Sequence, residues 1–214
     1  MNDGIDLRRA WCETLPGADR LGADLLRRWS EPGRAYHDAE HLAEVLTALG
    51  ELADPVPRTA RLAAWFHDAV YDPRRDDNEE RSAQLAAATL PDAGVDPAGV
   101  AEVERLVRLT KTHDPVADDA DGSLLCDADL AILGSSPARY ARYVEDVRRE
   151  YSHVPESDFR AARGRILRGF LARPAIYRTS SGRDRWESAA RRNLTAELGD
   201  EGPTPATAPP GPGC

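Results

Sequence analysis

The stretch Arg58–Val70, RTARLAAWFHDAV, decides how this chain is read. It is rich in Ala and Leu, carries Trp65 and Phe66, and shows no two-residue alternation, so it reads as a helix. The helix ends at Tyr71-Asp72-Pro73, and His67 and Asp68 stand next to each other near that end. A carboxylate buried without a partner costs several kcal/mol. An imidazole and an acid inside an apolar helix therefore need a cation or a hydrogen-bond network.

Working outward, nearly every periodic segment also reads as helix. Asp6 to Trp29 places Leu7, Trp11, Leu15, Leu21, Leu25, Leu26 and Trp29 on helical spacing, with an interruption at Pro16-Gly17. Tyr36 to Leu52 follows, with Leu42, Val45, Leu46 and Leu49 as its stripe. Beyond Arg58–Val70 the spacing predicts Glu79 to Leu90 capped by Asn78, then Ala98 to Thr112. Asp114 to Gly122 reads as an acidic loop. Leu124 to Leu133, Ala138 to Tyr151, Ser157 to Ala172 and Asp184 to Leu198 complete the set. No useful β alternation appears. The expected fold is an all-α helical bundle in one domain over residues 1–198, with a disordered Gly/Pro/Thr/Ala tail over 199–214.

The 214 residues suit one domain, and 41% hydrophobic against 30% charged residues is a soluble, globular balance. A net charge of -9 argues against a broad basic face for nucleic-acid polymers. It leaves room for an anionic small molecule held by a metal and a few cations. No run approaches a membrane span, and the opening MNDGIDLRRAW lacks a signal-peptide pattern, so a cytoplasmic location is expected. The three cysteines form neither a disulfide framework nor a zinc ribbon. Cys12 and Cys126 read as buried small hydrophobes and Cys214 as a free tail thiol. A homodimer stays open.

Only five histidines occur, so their positions carry information. His37 and His41 are four apart, as residues on one helix face are. His113 closes the polar run Lys111-Thr112-His113, and Asp127 and Asp129 sit in the otherwise apolar LLCDADL. Two residues apart on a helix point about 200° apart, so Asp127 and Asp129 do not face one metal together. Asp127 is expected to be a cap or network partner. His and Asp together suit Mn, Fe, Ni, Co, Zn or Mg, and separate helices converging on a bundle interior build such sites.

In combination these blocks resemble the HD superfamily of metal-dependent phosphohydrolases. The resemblance rests on Tyr36-His37-Asp38-Ala39-Glu40-His41, on Trp65 to Asp72, and on Asp127 to Leu130. Further matching stretches are Asn78 to Ser82, Thr110 to His113, Arg148 to Tyr151 and Glu187 to Leu198, so it covers about residues 5 to 198. It implies one divalent metal ion held by His41, His67, Asp68 and Asp129. His41 is preferred as first ligand, and His37 is the alternative one turn away.

The activity implied is hydrolysis of a small phosphorylated substrate, a nucleotide among the candidates, by a metal-activated water. Asp68, Glu79 and His113 are the catalytic candidates. His37, Lys111 and Arg34 are the phosphate-binding or supporting candidates. Three other readings compete: a non-catalytic metal- or nucleotide-binding module, a di-iron oxygenase and a helical scaffold. The run Arg139, Arg142, Arg148, Arg149 among Glu145, Asp146 and Glu150 reads as a solvated, salt-bridged face.

Overall fold

In a computed structural model, residues 5–200 are described. The helices are α1 (Leu7–Thr14), α2 (Asp19–Trp29), α3 (Ala39–Leu52), α4 (Arg58–Phe66), α5 (Asn78–Thr89) and α6 (Pro97–Leu109). They continue as α7 (Ala120–Asp129), α8 (Pro137–Glu150), α9 (Glu156–Ala172), α10 (Ser180–Gly182) and α11 (Ser188–Asp200). A 3-10 turn, Leu130–Gly134, extends α7, and a π-helical turn, Arg183–Glu187, joins α10 to α11. No strand occurs among the described residues. None of their helices is long and apolar enough to cross a membrane.

Several boundaries move from the sequence expectation, each for a local reason. Asp38 accepts hydrogen bonds from the amides of Glu40 and His41, so α3 begins at Ala39 and His37 precedes the helix. His37 and His41 therefore do not share a helix face. Asp119 accepts from the Gly122 amide and starts α7 at Ala120, inside the expected acidic loop. Asn78 does not cap α5; it is buried, and its side chain bonds the amide and the carbonyl of Asp72. The last helix runs through Gly199 to Asp200, which the sequence had assigned to the tail. The rest of the expected tail, with Cys214, lies outside the described residues.

Two apolar cores form. The first joins α1 to α7 around Trp11, Trp29, Trp65, Phe66, Leu42 and Leu106. Trp11 packs edge-on against Trp65 at 5.1 Å, and Trp29 donates its indole N–H to the Trp65 carbonyl at 2.9 Å. A Cβ at Gly22 would lie 2.1 Å from the Trp11 ring, so only glycine lets α2 approach α1 here. Cys126 is buried as expected, whereas Cys12 is exposed, because Trp11 and Leu15 take the inward positions of that segment. The second core gathers Tyr36, Leu130, Leu133, Tyr140, Tyr143, Leu167, Tyr177 and Leu194. Asp129 ends α7 where the first core gives way to the second.

Candidate metal centre

His41 comes from the first turn of α3, His67 follows the last residue of α4, and Asp129 closes α7. One ligand atom from each lies within 4.8 Å of the other two. The His41 and His67 Nε2 atoms are 3.2 Å apart, and Asp129 Oδ1 lies 3.1 Å from the first and 3.7 Å from the second. Both imidazoles are buried.

His67 Nδ1 lies 2.8 Å from the Ala64 carbonyl, which can only accept, so Nδ1 carries the proton and Nε2 offers a lone pair. That outer bond fixes the ring as supporting partners of metal-bound imidazoles do. Donors about 2.1 Å from one tetrahedral ion stand about 3.4 Å from each other, close to the spacing here. The donor set therefore fits a divalent ion, which this buried His/His/Asp group could hold. Asp68 stands at its edge, with Oδ2 3.4 Å from His67 Nε2.

His113 reaches Asp129 from the far side, Nε2 to Oδ2 at 2.8 Å. Its backbone is left-handed, with φ 49°, a conformation costly for a residue with a Cβ. Arg173 holds it there by donating to the carbonyls of Thr112 and His113. Burial pushes the Asp129 carboxyl up, but the surrounding imidazoles, His67 first and then His113 and His41, outweigh it and hold it well below its usual range.

A cavity of about 640 Å³ opens beside the cluster, and His37, Asp68, Glu79, Lys111 and His113 all line it. Arg34 is placed differently: its buried guanidinium donates to the carbonyls of His37, Asp68 and Ala69. It braces the segments carrying His37 and Asp68, and it is not among the cavity-lining residues. The Asp72 carboxylate accepts from the Arg74 amide.

Glu150 and Arg173 escaped the sequence reading as site residues. The Glu150 side chain is fully buried rather than part of a solvated face. Its Oε1 accepts from the amides of Ala35, Tyr36 and His37. Its Oε2 meets His37 Nδ1 at 2.6 Å and accepts from the Tyr71 hydroxyl at 2.9 Å. Tyr71 stacks on the His37 ring at 4.2 Å. Burial would raise the Glu150 carboxyl, yet the His37 hydrogen bond and charge and the backbone amides bring it down to about 2. Burial works against a charged His37, and the bond to Glu150 with the charge of Asp68 more than compensates, raising it. The sequence signals for Glu150 were its place in the Arg148 to Tyr151 stretch of the family resemblance and its position at the end of an apolar-striped helix.

Asp127 is fully buried and serves as a network partner, binding the amides of Arg178 and Thr179 and the Thr179 hydroxyl. Comparison of the chain with models of known protein families, with curated proteins and with solved structures gives no match.

Proposed function

We propose that the chain is a metal-dependent phosphohydrolase acting on a small phosphate ester. The observation that carries this reading is a buried His41/His67/Asp129 cluster beside a cavity lined by both acids and cations. His41, His67 and Asp129 would hold one divalent ion, with Asp68 as a fourth ligand on its open side. When bound, the ion supplies Lewis acidity and an activated water.

The remaining work falls to side chains of the cavity. Glu79 lines it as a carboxylate able to orient or deprotonate water. His37, with Nδ1 closed by Glu150, has only Nε2 left to contact a phosphoryl oxygen. Lys111 adds a cation at the same cavity, its ammonium already bonded to the Asp76 carbonyl. His113 orients Asp129 through Oδ2 and leaves Oδ1 to face His41 and His67. Arg34 supports the site from outside.

A panel of phosphorylated metabolites assayed with Mn, Co, Ni, Zn and Mg tests the reading, with His67→Ala and Asp129→Ala as controls. Activity that disappears in both variants supports it. Activity that survives in both, or two irons in the purified protein, overturns it.

A further inference from the structure

The cavity of about 640 Å³ is far larger than a phosphoryl group needs and falls in the range of sites for whole organic ligands. Its lining is not uniform. His37, Asp68, Glu79 and Lys111 supply the charged part, while Leu130, Tyr143, Tyr151, Ile166 and Phe170 supply an apolar, mainly aromatic part. Ile166 is 54% exposed, one of two large apolar side chains so exposed among the described residues. It is on α9, one turn before Phe170.

Most of the polar groups interspersed with these apolar residues are already engaged within the protein; Arg165, beside Ile166, is exposed and makes no hydrogen bond or ion pair among the described residues. The Tyr143 hydroxyl accepts from Arg163, whose other nitrogens bind Glu197. The Tyr71 hydroxyl donates to Glu150, and the Asn78 amide is spent on Asp72. Thr110 and Thr112 donate their hydroxyls back to Val107 and Leu109, and Arg173 holds the carbonyls of Thr112 and His113. A sugar hydroxyl or a base edge placed away from Arg165 would lose its water and find few free partners. An apolar ring would gain burial and edge or face contacts with Tyr143 and Phe170.

We propose that the cavity takes a phosphomonoester whose alcohol carries an apolar aromatic ring. The phosphate points to the metal centre and the ring lies against Tyr143, Ile166 and Phe170. The phosphate end rests on the phosphohydrolase reading; the ring end rests on the wall itself. In the reaction, water oxygen bonds to phosphorus, the P–O bond to the alcohol breaks, and the departing oxygen takes the proton lost by water.

The test compares 2-phenylethyl phosphate, glycerol 3-phosphate and deoxyadenosine 5′-monophosphate on the full chain loaded with Mn or Zn. All three release a primary alkyl oxygen, so leaving-group chemistry is matched. The expected kcat/KM for 2-phenylethyl phosphate exceeds both others by at least about tenfold, and Ile166→Asp or Phe170→Ser lowers that ratio by about tenfold. A ratio near one, or a preference for either polar alcohol, overturns the proposal.

If no ester turns over, the phosphohydrolase reading falls, and the ring site is judged separately by calorimetry. There 2-phenylethylphosphonate is expected to bind at least about tenfold more tightly than methylphosphonate, with Ile166→Asp removing the difference. Equal binding, or none, overturns the ring site.

Discussion

Asp127 and Asp129 stand two residues apart on α7, and both carboxylates are largely withdrawn from water. Asp127 meets neutral donors fixed by the chain: the Arg178 amide, the Thr179 amide and the Thr179 hydroxyl, each at 2.7 Å. Asp129 meets imidazoles from three other segments, His41, His67 and His113. Burial raises the Asp127 carboxyl pKa, and its fixed donors only partly offset this. At Asp129 the imidazole environment prevails and the carboxyl is held low. The difference teaches that desolvation alone does not make a site. Donors that spend their hydrogens on a buried acid turn it into a staple; imidazoles, which can also offer a ring lone pair to an ion, leave it able to form one wall of a cation cradle.

Substitutions can break this contrast at graded cost. Asp129→Ala is expected to lose bound metal and to cut turnover by about a thousandfold or more, roughly 4 kcal/mol of barrier, while the helical spectrum is kept. Metal analysis with steady-state kinetics checks it; a variant retaining stoichiometric metal would refute the assignment. Asp127→Ala should do the reverse. It leaves the Arg178 and Thr179 donors unpaired and should cost about 3 kcal/mol in urea unfolding, with metal affinity close to that of the parent chain.

Glu150→Gln probes a third buried acid and should cost about 2 kcal/mol, with a pH signature. The folded Glu150 carboxyl is lowered to about 2 from 4.5, so its stabilisation is full above pH 4.5 and fades as pH falls through about 2. His37 is raised from 6.5, so its stabilisation is full below pH 6.5 and is lost as pH climbs through the raised value. The stability gap between parent and Glu150→Gln should therefore be widest between pH 4.5 and 6.5. A gap that does not change with pH would remove the ion pair from the account. The smallest effect is expected for Gly182→Ala. Its Cβ would sit 2.6 Å from Asp127 Oδ2, and a loss of about 1 kcal/mol in thermal unfolding would sharpen the role of Asp127 as a staple.

Much of the helix set was legible because apolar stripes such as Leu42, Val45, Leu46 and Leu49 repeat with the helical period, and these four are buried. His41, His67 and Asp129 were legible as polar groups whose burial demands a cation or a network, and the family resemblance singled them out as the ligand candidates that the structure brings together. Less legible was what each polar group meets. Arg34 looked like a phosphate partner, yet it is spent on three carbonyls from two segments. Glu150 looked solvated, yet it is the acceptor for three successive amides more than a hundred residues away in sequence. A charge on a helix face reads the same in sequence whether that face meets water or a distant loop.

The sequence by itself determined the all-helical class, the inward stripes and the residues whose burial needs a cation or a network, because period and polarity act over one helix turn. Only the tertiary structure decided which acid faces imidazoles and which faces amides, that His37 sits before α3 under Glu150, and that Arg173 holds His113 toward Asp129. Those outcomes depend on segments tens of residues apart meeting at the junction of two cores, and no local pattern encodes which donor will arrive there.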